Sequence, residues 1–147
     1  MTPSVPELLV GNFLCLIEPP QPEAMGEFMA GKVAVTGLIG LLAAQEAQSG
    51  VETRVWENAA LRALFAEAAA AVPSDLGDRL AAAAAGEDRD LSLGALDRGN
   101  AGLRRLLIEL HVAAETAGDR ALDRRILGLY QQMADRRLLT LPPMPAR

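Results

Sequence analysis

The chain has 147 residues, of which half are hydrophobic and only 3% are aromatic. That length suits a domain with a buried core, and the dominance of Ala and Leu over β-branched and aromatic residues predicts an all-α fold. The formal net charge of −5 argues against nonspecific binding to nucleic acid, which needs clustered cations. We therefore expect no nucleic-acid partner.

Cysteine use and hydropathy indicate the compartment. Cys15 is the only cysteine, so an intrachain disulfide is excluded and a reducing cytoplasm is the simplest location. No basic segment precedes the apolar residues 8–17, which argues against a signal peptide. The membrane-like run 33–44 is too short to span a bilayer. We expect a cytoplasmic protein that makes no membrane contact.

The first predicted helix covers residues 5–17. Ser4 and Glu7 have the spacing of a capping box, and the prolines from Pro19 onward end the helix. Its side chains leave almost no polar face, so this helix is either buried on all sides or shared with a partner chain. A pair of strands turning at Gly11-Asn12 is the alternative.

The second predicted helix covers residues 23–48 and contains the interior glycines Gly31, Gly37 and Gly40. Each interior glycine costs about 1 kcal/mol relative to alanine, so a compensating role is expected. Either a neighbouring helix approaches closely at these positions, or they leave room for the chain or ring of a ligand. Gly50 is predicted to end this helix.

The third predicted helix, over residues 51–72, mixes polar and apolar side chains. Arg54, Glu57, Asn58 and Arg62 interleave with its core residues. They form either a solvated or interhelical ion-pair patch, or a polar spot inside the bundle.

Three more helices follow, over residues 75–85, 96–117 and 120–138, with Gly118 as a helix stop and Asp119 as the next N-cap. Four long segments with short connections predict an up-down bundle of four long helices plus two shorter ones. We predict a single helical-bundle domain over 1–140 and an extended proline-rich tail over 141–147. The exposed face of the last helix is predicted to carry five arginines: Arg120, Arg124, Arg125, Arg136 and Arg137.

The predicted helix over 96–117 has an apolar stripe that recurs every seven residues from Leu96, so it is expected to pack against a neighbour along its whole length. A polar flank beside this stripe contains the only histidine of the chain. The flank is either a hydrogen-bonded border of the core or a groove for an anionic or acyl ligand, since an Arg fork suits a carboxylate or phosphate. The candidate ligand-binding residues of the flank are Asn100, Arg104, His111 and Glu115.

Motifs for known chemistry are missing from the sequence. His111 lacks a glutamate three positions before it, and His111 with Glu115 supplies only two metal ligands. Neither a dinucleotide fingerprint nor a P-loop occurs, and no serine or cysteine lies in a nucleophile elbow. The pattern of histidine phosphotransfer bundles also fails after His111. We expect no catalytic residue, no metal and no cofactor.

Several short segments resemble a small family of bacterial helical proteins. The match spans residues 7–88. It rests on Glu7-Leu8-Leu9, Phe13-Leu14, Gly31-Lys32-Val33-Ala34, Glu46, Glu57-Asn58-Ala59-Ala60-Leu61-Arg62-Ala63-Leu64 and Gly86-Glu87. Members of the family are typically encoded near acyl-CoA dehydrogenases and aminoglycoside-phosphotransferase-like kinases. The resemblance implies a helical fold and a protein partner in acyl-CoA metabolism, and it implies no site residue.

Charge is distributed unevenly along the chain. Residues 1–90 carry five basic and thirteen acidic side chains, a balance of −8, whereas residues 91–147 carry nine and six, a balance of +3. The two halves can pair within one bundle or between two chains. Two hypotheses follow: a non-enzymatic homodimeric accessory or assembly protein, and a ligand-binding bundle or enzyme with its site near Arg104 and His111.

Overall fold

The computed structural model describes residues 3–5, 8, 9, 12 and 25–138. All regular structure in these residues is helical and none is strand, which confirms the all-α prediction. None of the described helices has the length and apolar character needed to cross a bilayer. The elements are α1 (Met25–Ala68), a 3-10 turn (Ala69–Ala71), α2 (Ser74–Ala84), α3 (Leu93–Ala117) and α4 (Arg120–Arg136).

Helix α1 corrects the prediction of two helices separated at Gly50, because helical structure continues through this residue. A glycine ends a helix by adopting a positive φ angle, and Gly118 is the only described residue that does so. Among the described residues, no other helix closely approaches the glycines near the start of α1. A Cβ atom added at Gly31, Gly37 or Gly40 would meet none of these residues within 4 Å.

Little of the first predicted helix is described. Val5, Leu8, Leu9 and Asn12 are helical, and the Leu8 amide N–H donates to the Ser4 carbonyl at 3.0 Å. The rest of that helix and the tail 141–147 lie outside the described residues, and the single domain over 1–140 stays a prediction. Residues 51–138 form one compact unit, and the described residues up to Gly50 belong to another.

The core of the 51–138 unit is built from one apolar face on each helix. Its buried side chains are spaced three or four residues apart, which places them on a single helix face. Each fully buried Leu, Ile or Phe contributes about 1.5–3 kcal/mol. The deepest of them are Leu61, Phe65, Leu80, Leu107, Leu110 and Ile126.

One close contact and one tight turn position the helices of this unit. Gly77 in α2 lies against the 3-10 turn so closely that an added Cβ atom would be 2.5 Å from the Ala69 carbonyl oxygen. Gly118 ends α3 with a φ angle of 67°, and the Asp119 carboxylate then accepts from the N–H groups of Ala121 and Leu122. Both predicted roles at the α3–α4 turn are confirmed. Helices α3 and α4 pack on each other beyond this turn.

Candidate functional site

A buried polar network, which we call the Glu57 network, joins α1, α3 and the end of α4. It consists of Glu57, Asn58, Asn100 and Arg137. The Glu57 side chain is 0% exposed, and Arg137 donates to both of its oxygens, from Nε at 2.6 Å and from Nη2 at 2.9 Å. The Asn100 amide donates to Glu57 Oε2 at 2.9 Å and to Asn58 Oδ1 at 3.0 Å. The buried carboxylate is thus paired and hydrogen bonded.

Asp88 extends the network toward the α2–α3 loop. The Asn58 amide donates to both Asp88 carboxylate oxygens at 3.1 Å, and Arg62 Nη2 donates to Oδ1 at 2.7 Å. The hydrogen bond from Arg62 holds the pKa of the Asp88 carboxyl below its ordinary value, with Asn58 acting in the same direction against the effect of burial. Asp88 therefore stays ionised against its two donors.

A buried arginine lies on the same side of α1. Arg54 is only 2% exposed and pairs through Nε with the half-buried Asp97 of α3. Of the two interpretations for the polar residues on this helix, burial supports the polar spot inside the bundle for Arg54, Glu57 and Asn58. It is also an interhelical ion-pair cluster, because its partners come from α3 and the end of α4.

A second polar group, the His111 cluster, lies on the α3–α4 hairpin and consists of His111, Glu115 and Asp123. His111 Nε2 is 2.9 Å from Asp123 Oδ1 and 3.9 Å from Glu115 Oε1. The imidazole ring packs against the Tyr130 ring with centroids 5.8 Å apart and an interplanar angle of 49°. Because all three side chains reach solvent, an ion or small ligand has access to this cluster.

Arg104 lies on α3, seven residues before His111. It is half-buried, and among the described residues no hydrogen bond or ion pair is found for it. Burial raises the pKa of Tyr130, and the charge of Arg104 opposes that rise. The guanidinium is therefore close enough to act on the phenol, and its fork of donors remains available to an anion.

The four predicted site residues fall into three places. Asn100 belongs to the buried Glu57 network, His111 and Glu115 meet in the His111 cluster, and the charge of Arg104 acts on Tyr130. Asn100 is thus not brought together with the other three candidates. Comparison of the chain with family models, with curated proteins and with solved structures finds no match.

Sequence alone missed Arg137, Asp88 and Asp123. Arg137 was predicted on the exposed face of the last helix, but it follows the end of α4 and its side chain is only 17% exposed. No sequence signal distinguishes it from the neighbouring Arg136. Asp123 did carry a signal, because His111 and Asp123 lie six residues before and after Ala117. An antiparallel hairpin turning there brings such positions face to face.

Proposed function

We propose that this chain is a non-enzymatic helical accessory or assembly protein of the bacterial cytoplasm that acts as a homodimer. The observation that carries the proposal is an uncharged, exposed stripe along the first part of α1. Its residues are Met29, Val33, Gly37, Gly40, Ala44 and Ala47. Val33 is 67% exposed and Met29 is 41% exposed, although monomeric proteins rarely leave extended apolar surface to solvent.

The spacing of this stripe suits another helix. From Val33 onward the steps alternate between four and three residues, which is the seam of helices packed as in a coiled coil. Small side chains in the middle of such a seam permit a short distance between helix axes. A second copy is the occupant we propose, because a two-fold axis brings the same surface onto itself. The −8 and +3 halves of two copies are also complementary in charge.

The interior polar groups support a structural role. Both oxygens of the Glu57 carboxylate are occupied by donors of the chain itself. A fully connected buried network rigidifies a core, and it leaves this carboxylate no position for a substrate. The resemblance to proteins encoded near acyl-CoA dehydrogenases suggests that the dimer assists a protein partner in acyl-CoA metabolism.

Sedimentation velocity tests the proposed dimer. We expect a dimer or larger species at high micromolar concentration and a shift toward monomer for Val33→Glu, since a buried charge disfavours the seam. Leu9→Glu, at another exposed apolar position, tests whether the first predicted helix contributes. Val112→Glu is the matched control on α3, where Val112 is 56% exposed, and it should leave the mass unchanged. A wild-type protein that stays monomeric at these concentrations contradicts the proposal.

A second candidate function is binding of a small anionic or acyl ligand near Arg104 and His111. The observation in its favour is that Arg104 forms no ion pair within the described part of the chain, whereas its charge lowers the pKa of Tyr130 against the effect of burial. An arginine without an acidic partner offers a bidentate site for a carboxylate or phosphate. Binding there does not exclude self-association through α1.

Thermal-shift screening against acyl-CoAs, nucleotides and organic acids tests this candidate. A ligand bound at Arg104 should raise the melting temperature of the wild type and lose most of that effect in Arg104→Lys, because lysine lacks the planar fork. His111→Asn reports whether the imidazole takes part. Arg105→Lys, at an exposed neighbouring position, is the control. The absence of any stabilising ligand, or a shift that survives both substitutions, contradicts this function.

A further inference from the structure

We propose that His111, Glu115 and Asp123 bind a divalent transition-metal ion of the Zn²⁺ type. The three side chains offer one imidazole nitrogen and two carboxylate oxygens, and these ligand atoms all lie within 4.8 Å of one another. Three protein ligands with a further position open to water make up a known class of zinc site. The sequence showed only the two ligands on α3, and the third comes from α4.

The distances between the ligand atoms fit one metal ion. Two ligands at about 2.0–2.2 Å from a tetrahedral ion are about 3.3–3.6 Å apart. The distance from His111 Nε2 to Asp123 Oδ1 is 2.9 Å, and that to Glu115 Oε1 is 3.9 Å. These values lie on either side of the ideal, so movements of a few tenths of an ångström bring each oxygen into range of the imidazole nitrogen. The two carboxylates, whose oxygens lie within 4.8 Å of each other, close on the ion by side-chain rotation. Glu115, whose side chain is 64% exposed, is free to make such a movement.

The α3–α4 hairpin keeps the three ligand side chains close together without a bound ion. His111 and Glu115 are one turn apart on α3, so both project from the same face. Asp123 lies in the first turn of α4, directly after the Gly118–Asp119 turn that joins the helices. Contact with Tyr130 restricts the imidazole ring. The cation of Arg104 acts on this same tyrosine and is the neighbouring charge that opposes metal binding.

Metal binding replaces the hydrogen bond between His111 and Asp123. The 2.9 Å contact joins His111 Nε2 to an Asp123 carboxylate oxygen, and because a carboxylate only accepts, Nε2 is the donor in this contact. A metal ion at Nε2 takes the place of this proton, which moves to Nδ1 by exchange with solvent, so the bound imidazole stays neutral. The donor set of one nitrogen and two carboxylates favours Zn²⁺, Co²⁺ or Ni²⁺ over Mg²⁺ and Ca²⁺, which prefer oxygen ligands alone.

The test is calorimetric titration of the full chain with Zn²⁺, and separately with Mg²⁺, after removal of any histidine tag. A Cys15→Ser background excludes the thiol as a ligand. We expect one Zn²⁺ per chain and much weaker binding of Mg²⁺. His111→Gln and Asp123→Asn should each weaken Zn²⁺ binding at least tenfold, and Glu115→Gln should weaken it less. Glu109→Gln is the control. Glu109 lies on α3, as His111 and Glu115 do, and is an exposed partner of Arg79, so this variant should bind Zn²⁺ as the parent does.

The nitrogen-15 spectrum of the imidazole gives a second readout. Because His111 is the only histidine, its ring signals need no assignment, and Zn²⁺ should shift one ring nitrogen. The proposal is overturned if the imidazole signals do not move at saturating Zn²⁺, or if the parent and His111→Gln bind Zn²⁺ with equal affinity. If His111→Gln does not fold, unchanged affinity of Glu115→Gln and Asp123→Asn overturns it instead. The titration is then repeated on Val33→Glu, which should bind Zn²⁺ as the parent does. A failure of the proposed dimer would therefore leave the metal proposal unaffected.

Discussion

Helix α3 carries two polar groups that differ in burial and in how completely their atoms are paired. Asn100 and His111 are eleven residues apart, or about 16 Å along the axis at roughly 1.5 Å per residue. At the Asn100 end the Glu57 carboxylate is fully buried and receives three hydrogen bonds. At the other end the His111 cluster is open to solvent, with Glu115 mostly exposed.

This difference separates a structural role from a chemical one. A buried charge whose hydrogen bonds are complete adds rigidity, and removing one partner exposes the whole cost of burying the other. A solvent-accessible cluster contributes little to stability, because water replaces any bond that is lost. The same access to water admits an ion or a ligand. The following substitutions measure how sharply the two groups differ.

Arg137→Ala should give the largest effect. It leaves the Glu57 carboxylate buried without its bidentate partner, and loss of one member of a buried pair costs about 3–5 kcal/mol of unfolding free energy. Arg136→Ala is the control, because Arg136 is exposed and its interactions within 25–138 are with Glu52 at 3.8 Å and with the Trp56 ring, whose centroid is 4.1 Å from the guanidinium carbon. It should cost about 1 kcal/mol or less. Urea denaturation of both variants gives the comparison. Equal losses of unfolding free energy would show that the buried ion pair of Glu57 and Arg137 contributes no more to stability than a surface arginine does.

Asn100→Ala should give an intermediate effect. The variant leaves Asn58 Oδ1 without the donor seen here and removes one of the three bonds to Glu57. An unsatisfied buried acceptor costs about 1–3 kcal/mol. Gln131→Ala removes an exposed amide that bonds Asp135 and should change stability by no more than about 0.5 kcal/mol. A loss for Asn100→Ala as small as that of the control contradicts the structural role of this amide.

Asp88 should make the stability of the unit depend on acid. Its carboxyl has a pKa below the ordinary value of 3.8 in the folded chain, so the ionised form stabilises the fold. This contribution is complete above the unfolded pKa and is lost as the pH falls through the folded pKa. The stability difference between wild type and Asp88→Asn should therefore shrink below about pH 4. Asp78→Asn, at an exposed position, is the control, and a difference that stays constant down to pH 2 would refute the assignment.

The helical class and the apolar faces were predictable, because both depend on local periodicity. The apolar residues of α4 recur at Leu122, Ile126, Leu129 and Met133, and all four are buried as a helical face requires. The turn at Gly118 and Asp119 was predictable for the same reason. Each of these features depends on residues within one or two helical turns.

Long-range pairing accounts for what the sequence did not predict. Glu57 and Arg137 are 80 positions apart, and no local pattern selects that arginine among the others on the last helix. Gly50 carried a stop signal, yet its own backbone is helical. Asn100 is predicted on the flank beside the apolar stripe, at the border of the core or in a ligand groove, whereas its amide is buried between α3 and α1 and bonds Glu57. The pairing of His111 with Asp123 required only that the hairpin be treated as antiparallel.

Comparing Glu57→Gln with Asp123→Asn by urea denaturation, in a buffer that contains a chelator, tests the central distinction most directly. The two substitutions make the same change, from carboxylate to amide, in the Glu57 network and in the His111 cluster. The Glu57→Gln variant should lose about 3–5 kcal/mol of unfolding free energy, since it leaves Arg137 facing a buried neutral group. The Asp123→Asn variant should lose about 0.5–1.5 kcal/mol, the net value of one hydrogen bond. A loss for Asp123→Asn that equals or exceeds that for Glu57→Gln would contradict the account.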